Sequence, residues 1–450
     1  MTTPADAHFL RTALRDLADR PLEPDDPRWV ADLHVDAGAD PTQPLVRGIV
    51  WQGDAPALQL LGAVRGGGTS TLLRRLRRDL DATGCRTVLC DLTAHLSTAA
   101  PLDRDGVRLA IALAFHDALA LDPLLVRDAL TLDIGTFLAP ALRAAQPQLP
   151  GCPEIPAALG EAHDTAVRDL GRALRRWLDD ALRHDPDVRG SILRVIGGHR
   201  GAVARANAAF FDAGCAALRT HHGADAMPIV LLIDGLDRWL RADADADADG
   251  RAWHPLLDLL IAEPDVLRPP GVHAIAAVPA ALLPLRPRLA ARWPELASSF
   301  VGLTPRALDD ASARARLRAV VQRRLDVGRL LGSVDRLAPL LDASGGVVGD
   351  LLRMLRWLLG RVDALPVADA LLAAAIDAFA ERAVPPTIDE ADGLLLGRLS
   401  ARTSDRPLTF TAADRARLAD LVADGRALPY RANSGRVDWR VHPLALGRAG

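Results

Sequence analysis

The chain has 450 residues, of which 49% are hydrophobic and 25% are charged, and its formal net charge is −3. This length leaves room for two or three domains with sizeable cores, and the near-neutral charge excludes a general attraction to nucleic acid or anionic membranes. The four cysteines fit neither a disulfide framework nor a zinc site, and no segment has the pattern of an export signal or a membrane span, so we expect a cytoplasmic protein with no membrane partner.

The first predicted element precedes the sheet. Apolar residues at helical spacing predict a helix over residues 1–20, namely Phe9, Leu10, Leu14 and Leu17. Pro21 ends this helix, and we expect an irregular lead-in that reaches about residue 48. Residues 1–50 are therefore predicted to form an N-terminal helix and its lead-in.

A glycine-rich stretch follows, and it is the most informative part of the chain. An apolar run from Leu58 to Val64 leads into three consecutive glycines, after which hydroxyl residues open an amphipathic helix. A strand, a glycine loop and a helix start in this order are typical of a P-loop, in which backbone N–H groups and a helix N-terminus surround phosphates. The predicted nucleotide-binding residues are Arg65, Gly66, Gly67, Gly68, Thr69, Ser70 and Thr71.

The lysine that normally reaches the phosphates is missing from this loop. One alignment places Thr69 at the lysine position and Ser70 at the Mg²⁺-binding hydroxyl, and a second alignment places Gly68 and Thr69 at these positions. Neither alignment supplies a cation, and the whole chain contains no lysine. An arginine- and alanine-rich composition indicates a GC-rich genome, which depletes lysine codons and explains the general absence of lysine. Inside a phosphate loop, however, the ammonium has a role that Thr69 cannot fill.

The next segments predict a parallel sheet with a helical insertion. A strand at residues 87–90 ends in Asp91, and strand, helix and strand together form a βαβ unit. Residues 103–222 then show helical spacing and predict a large insertion.

An acidic residue ends the next strand. The continuous apolar run 228–233 stops at Asp234, the position at which a P-loop protein holds Mg²⁺. Ser70 and Asp234 are therefore the predicted metal ligands. Asp237 is the candidate catalytic residue, because it can position a water for attack; capping of the next helix is the alternative interpretation.

The remaining chain predicts two further regions. A strand at 272–278 completes a P-loop domain over residues 51–303, and helical patterns, including a basic helix at 314–329, predict a helical lid over 304–384. Pro385-Pro386 marks a boundary. A helix and two β-like arms around Asn433-Ser434-Gly435 then predict a winged-helix-like domain over 385–450.

Together these blocks resemble a bacterial P-loop ATPase of the AAA+/STAND group, in the branch near origin-recognition and KAP-type ATPases. The matching blocks are the glycine loop with Ser70 to Leu73, Ile233 to Arg238, Val278-Pro279, Ser344 to Gly346 with Asp350 to Arg353, Tyr430-Arg431 with Trp439, and His442 to Leu444. The resemblance implies an α/β fold: a P-loop NTPase parallel sheet with a large helical insertion, a helical lid and a C-terminal winged helix. It also implies ATP or ADP with Mg²⁺ as cofactors and an ATP-driven switch.

The resemblance implies partners too, and the departures from the family pattern bear on activity. Similar bacterial proteins are often encoded in conflict or antiphage systems as regulatory components, so we expect a protein partner, with homo-oligomers and DNA binding left open. Thr69 replaces the loop lysine, Gly349 stands where the family has a lid arginine, and Gly235 rather than an acid follows Asp234.

Three functions follow from these observations. The first is a degenerate ATPase, a pseudo-ATPase with weak or no hydrolysis, that serves as a scaffold or switch in a defence assembly. The second is an active ATPase in which Arg65 or Arg74 replaces the lysine. The third is a DNA-binding regulator that uses basic residues of the winged helix, such as Arg436 and Arg440.

Overall fold

The computed structural model describes residues 4–446 except 19, 32, 34–39, 54, 100–101, 123–124, 126–131, 144, 158–164, 224–226, 241–253, 304–309, 384–388, 402–407 and 432–436. The strands are β1 Leu58–Ala63, β2 Arg86–Asp91, β3 Ile229–Asp234, β4 His273–Pro279, β5 Phe300–Leu303, β6 Ala427–Arg431 and β7 Val437–Val441.

The helices of the first half are α1 Pro4–Asp16, α2 Gln43–Gln52, α3 Thr69–Asp81, α4 Arg104–Leu121, α5 Ile134–Arg143, α6 Thr165–His184, α7 Pro186–Gly198 and α8 Arg200–His222. Those of the second half are α9 His254–Ala262, α10 Arg286–Arg292, α11 Pro294–Ser298, α12 Ala311–Gln322, α13 Val327–Leu331, α14 Ala338–Ala343, α15 Val348–Leu359, α16 Asp369–Ala383, α17 Glu390–Ser400, α18 Ala412–Ala423 and α19 Pro443–Leu446. None of the helices in the described part of the chain is long and apolar enough to cross a membrane.

A parallel five-stranded sheet lies at the centre of the molecule, in the order β2-β3-β4-β1-β5. This confirms the predicted α/β class. Its inner strands are almost wholly apolar because helices cover both faces. The register places Asp91 beside Asp234 and Ala63 beside Pro279, so these four residues mark one edge of the sheet. Parallel α/β sheets bind ligands at this edge, where the strands have their carboxyl ends.

Two apolar layers enclose the sheet. On one face, α2 and α3 cover the strands with a cluster that includes Ile49, Leu61 and Leu73. On the other face lies a larger core, to which α4 contributes Phe115 and α8 contributes Phe211. The two rings stack with centroids 4.7 Å apart. Helix α4 packs directly against β2, and α4 to α8 together occupy the chain between β2 and β3.

A separate core joins the N-terminal helix to helices that follow the sheet. Leu17, just after α1, is fully buried in a cluster with Leu317 of α12 and Leu351 of α15. Further along the chain, α17 and α18 precede the antiparallel pair β6–β7. Two helices and a hairpin in this order have the arrangement expected of a winged helix.

Several local predictions differ from the structure. The lead-in is not irregular throughout, because α2 occupies Gln43–Gln52. The sequence pattern missed β5, a short strand at the edge of the sheet. The predicted basic helix 314–329 is two helices, because Asp326 caps a new one with a hydrogen bond from the Arg329 N–H. The predicted boundaries at 303/304 and at Pro385-Pro386, and the turn at Asn433 to Gly435, involve residues outside the described part of the chain.

Candidate functional site

The glycine loop lies between the central strand β1 and the start of α3. Gly66 and Gly68 have φ angles of +76° and +89°, a backbone conformation that residues other than glycine rarely adopt. The Gly67 N–H donates to the Val64 carbonyl at 2.9 Å, which closes the turn. Gly68 is the N-cap residue of α3, and among the described residues no side chain caps this helix. The first N–H groups of a helix have no partner within it, so they are available to an anion.

Ser70 and Asp234 meet at the edge of the sheet. The Ser70 hydroxyl lies close to the Asp234 carboxylate and acts to lower its pKa, and this carboxylate accepts the Gly235 N–H at 2.8 Å. Burial raises the pKa of Asp234, and the neighbouring Asp91 carboxylate raises it further. This contact favours the alignment in which Ser70 is the metal-binding hydroxyl and Thr69 replaces lysine.

Asp237 lies in the same cleft. Burial raises its pKa, and so does the charge of Asp234, whereas the charges of Arg238 and Arg65 act in the opposite direction. A carboxyl group in this position can accept a proton from a water or hold an arginine. The structure therefore places the two predicted metal ligands, Ser70 and Asp234, and the candidate catalytic residue Asp237 around one cleft.

Thr71 has a role that the sequence did not suggest. Its hydroxyl accepts a hydrogen bond from the Leu22 N–H at 3.2 Å, so it attaches the lead-in to the first turn of α3. Arg74, considered as a substitute for the lysine, is instead paired with Glu23 of the lead-in. Arg65, the other substitute considered, lines the cleft beside the glycine loop.

Helix α15 contacts the glycine loop directly, and sequence reasoning missed this. The Gly349 N–H donates to the Gly66 carbonyl at 2.8 Å. A Cβ added to Gly349 would lie 2.7 Å from the Gly66 Cα, so only glycine permits this approach. Gly349 therefore serves a packing role at the position where an arginine was expected.

Arg353, one turn later in α15, brings a cation to the loop. Its Nη2 lies 3.4 Å from the point where a Cβ on Gly66 would be, and its Nε donates to the Gly349 carbonyl at 3.0 Å. The sequence contains this arginine at helical spacing after Gly349, but it did not show that a cation would reach the loop from Arg353, one turn later than expected. The site thus has a lid cation, contrary to the expectation that the position was lost with Gly349.

The cleft continues from the loop towards the lead-in, where its lining becomes more apolar. It is lined there by the side chains of Leu22, Trp29, Val30, Leu33, Val320 and Leu352. Arg324 also lines this half, and its Nη1 donates to the carbonyls of Val320 and Arg28. Burial, followed by the nearby charge of Arg28, lowers the pKa of Arg324 to about 10.

The residues present fit a nucleotide with Mg²⁺. A hydroxyl beside a carboxylate is the pair of oxygen donors that Mg²⁺ uses in P-loop proteins. Burial of Asp234 and Asp237 disfavours their charged carboxylate forms. A divalent cation would offset this electrostatic cost. The described residues that line the cleft include seven arginines, whose charge suits a polyanion: Arg20, Arg28, Arg65, Arg75, Arg238, Arg324 and Arg353.

No family model matches this chain, and no curated protein sequence matches it. Several solved structures are similar. The Aeropyrum pernix ORC2 protein in its ADPNP–ADP complexes is 10% identical, with a TM-score of 0.41 over 96% of this chain and 93% of that one. The Aeropyrum pernix ORC1 protein in complex with DNA is 12% identical, with a TM-score of 0.35 over 93% and 95%. CDC6P from Pyrobaculum aerophilum is 13% identical, with a TM-score of 0.30 over 93% and 96%. Likenesses of this size do not assign a function.

Proposed function

We propose that this protein binds a nucleoside di- or triphosphate, ADP or ATP in the first instance, in the cleft at the glycine loop. In this proposal it acts as a nucleotide-controlled regulatory or scaffold component of a protein assembly. The observation that carries the proposal is the meeting of a glycine loop, a Ser70–Asp234 pair and the Arg353 guanidinium at one edge of a parallel sheet.

In this function the chain's own groups divide the work. The N–H groups at the start of α3 donate to the phosphates, and Ser70 and Asp234 hold the metal. Mg²⁺, when bound, shields the charge of the phosphate oxygens. The apolar residues between the lead-in and α12 receive the base, as an apolar surface suits a planar heterocycle.

Arg353 and Arg65 take over part of the role of the missing lysine. Arginine is longer and carries its charge on a planar fork, so it approaches a phosphate from the side of the loop rather than from within it. Arg353 reaches the loop from the lid helix, and phosphate binding then draws α15 and the glycine loop together. Nucleotide binding is therefore a means of fixing the lid.

Hydrolysis in this proposal is slow. Gly235 rather than an acid follows Asp234, and β4 ends in Val278-Pro279, so beyond Asp234 itself neither strand end offers a further polar side chain to activate or orient water. Losing one electrostatic partner of a phosphoryl-transfer transition state commonly costs on the order of 3 kcal/mol, or a hundredfold in rate. An active ATPase that uses Asp237 as its base is the alternative.

We propose that this assembly is of the bacterial conflict or antiphage type, and the proposal is based on the family resemblance alone. DNA recognition by the helix–hairpin region is the less favoured alternative. Three of its basic residues in the described part of the chain are paired with acids: Arg417 with Asp389, Arg426 with Asp424, and Arg440 with Asp438. The other candidate, Arg436, lies outside the described residues. Paired arginines release few counterions on meeting DNA, which lowers the expected affinity.

A binding titration with a fluorescent ATP analogue and Mg²⁺ tests the proposal. Arg353→Ala is expected to weaken binding about tenfold or more, because a charge-assisted hydrogen bond to phosphate is lost. Arg356→Ala is the matched control, since Arg356 is exposed on the same helix and does not line the cleft. ATP turnover that Asp234→Ala abolishes would favour the active ATPase instead, and equal binding by the two arginine variants would remove Arg353 from the site.

A further inference from the structure

We infer that the C-terminal helix–hairpin region controls the phosphate affinity of the glycine loop through two positioning residues, Asp350 and His442. Here the helix–hairpin region means α17, α18, β6, β7 and α19. The inference rests on the proposed function, because it concerns how Arg353 is held for a phosphate.

Asp350 lies between the glycine loop and the helix–hairpin region. It is in the first turn of α15, next to Gly349, and its two carboxylate oxygens have different partners. Oδ1 accepts a hydrogen bond from Arg353 Nη2 at 2.6 Å, and Oδ2 lies 3.3 Å from His442 Nε2. One carboxylate therefore links the cation at the glycine loop to a residue that follows β7.

The hydrogen bonds around His442 fix which ring nitrogen carries the proton. The Leu444 N–H donates to Nδ1 at 3.1 Å, so Nδ1 is the acceptor nitrogen. In the neutral ring the proton is then on Nε2 and is donated to Asp350. The His442 N–H also donates to the Arg426 carbonyl at 2.7 Å, and the side chain is 5% exposed. His442 is thus a rigid donor, and it needs no positive charge to hold Asp350.

Holding the second oxygen of Asp350 restricts the first. A carboxylate with one hydrogen-bonded oxygen can rotate, whereas one held at both oxygens presents Oδ1 to Arg353 in a single direction. Arg353 itself is held at Nε by the Gly349 carbonyl, and the two contacts aim its guanidinium at Gly66. Precise placement of a cation is what the missing lysine would otherwise supply.

A second contact between the same two regions provides an internal control. The Tyr430 hydroxyl of β6 donates to the Gly345 carbonyl at 2.7 Å, ahead of α15. This bond fastens the hairpin to the lid without touching Asp350 or Arg353. Loss of the Tyr430 bond is therefore expected to loosen the interface, while loss of the His442 bond changes the aim of Arg353.

The coupling works in both directions. If docking of the helix–hairpin region favours phosphate binding, phosphate binding favours docking by the same factor. A partner protein that displaces the hairpin would then release the nucleotide. This gives the proposed switch a defined mechanical connection between its ligand and its partner surface.

The test compares five variants of the full chain by titration with Mg²⁺ and ATP. His442→Asn keeps an acceptor for the Leu444 N–H but does not reach Asp350, and we expect about fivefold weaker binding. His442→Gln retains a donor at the Nε2 position and is expected to bind like the wild type. Tyr430→Phe is expected to lower the melting temperature with unchanged affinity. In an Arg353→Ala background, His442→Asn should have no further effect.

The outcomes separate this inference from the proposed function. Wild-type affinity in His442→Asn, or the same loss in the Arg353→Ala background, overturns the positioning role. If Arg353→Ala itself binds like the wild type, or the wild type binds no nucleotide, the proposed function fails first. A melting curve for each variant shows whether it is folded, and His442→Gln keeps the comparison valid if His442→Asn is not.

Discussion

At the scale of single residues, the cleft contains much positive charge but no lysine. The sequence predicted Ser70 at the start of a helix and Asp234 at the end of a strand, and the structure brings both into the lining of one cleft. Ser70 was predictable because a P-loop has fixed spacing within one βα unit, and Asp234 was predictable because it ends a continuous apolar strand. Arg353 was not, because it reaches Gly66 through the packing of a helix far along the chain, and no local pattern encodes that contact.

Restoring the missing cation tests the assignment of Thr69. Thr69→Lys is expected to raise nucleotide affinity about tenfold, since the new ammonium would lie at the start of α3 where the phosphates bind. Equilibrium titration measures the change. Thr69→Gln is the control of similar length without charge, and an equal effect of the two substitutions would argue against the alignment on Ser70.

The raised pKa of Asp234 predicts that its substitution changes folding stability and Mg²⁺-dependent binding in opposite directions. Its folded-state pKa is raised by burial, so the stability that Asp234 contributes is complete below its unfolded pKa and is lost as the pH rises through the folded value. At pH 7 the buried charge is unfavourable. Asp234→Asn should therefore raise the free energy of unfolding by about 1 kcal/mol at pH 7 while weakening Mg²⁺-dependent binding.

Asp26 provides a control of opposite sign for this experiment. Its hydrogen bond with Arg28 lowers the pKa of Asp26 to about 2, so its contribution to stability is present above pH 3.8 and is lost as the pH falls through 2. Asp26→Asn should lower stability at pH 7. Urea unfolding at pH 7 and pH 4 measures both variants, and stabilisation by Asp26→Asn would contradict the interpretation of these carboxylates.

At the scale of elements, the contact between α15 and the glycine loop organises the site. The strands and most helices were predictable from apolar periodicity, because each buries one face or lies wholly inside. Helix α2 and strand β5 were not. Gln43–Gln52 contains a proline and a glycine, which concealed the helix, and β5 has only four residues, too few to show alternation.

The approach of Gly349 to Gly66 predicts a cost for any side chain. Gly349→Ala places a methyl group 2.7 Å from the Gly66 Cα and should destabilise the fold by about 1–3 kcal/mol, since backbone must move on both sides. Gly397→Ala, in α17, is the matched control. A Cβ there meets nothing within 4 Å, so alanine should stabilise the protein by about 0.5–1 kcal/mol.

Chemical denaturation distinguishes the two alanine variants. If Gly349→Ala were as stable as the wild type, the lid helix would not be held against the glycine loop. Nucleotide titration of the same variant gives a second measurement, because a displaced α15 also displaces Arg353.

At the scale of the whole molecule, the cleft is enclosed by two parts of the chain, one that precedes the first strand of the sheet and one that follows its last strand. The lead-in supplies Leu22 and Trp29, and the helices after the sheet supply Val320 and Leu352. Leu17 packs in the same apolar core as these later helices. This core therefore holds the N-terminal segment of the cleft wall against the helices that follow the sheet. Such long-range packing was not predictable from local sequence patterns.

This arrangement predicts that nucleotide stabilises the folded chain as a whole. At a nucleotide concentration about 100 times the dissociation constant, the free energy of unfolding should rise by about 2.7 kcal/mol. Thermal unfolding with and without Mg²⁺ and ATP measures the shift. A shift of the same size in Arg353→Ala at equal nucleotide concentration would contradict the proposed link between the lid and the loop.

The central claim is that an arginine-lined cleft at a glycine loop without lysine is a working nucleotide site. Isothermal titration calorimetry of the nucleotide-stripped protein with ATP and Mg²⁺ tests it most directly. We expect saturable binding of one ATP per chain that weakens when Mg²⁺ is removed and loses this Mg²⁺ dependence in Asp234→Ala. The absence of saturable heat with ATP, ADP and every other nucleoside di- or triphosphate at millimolar concentration would contradict this proposal.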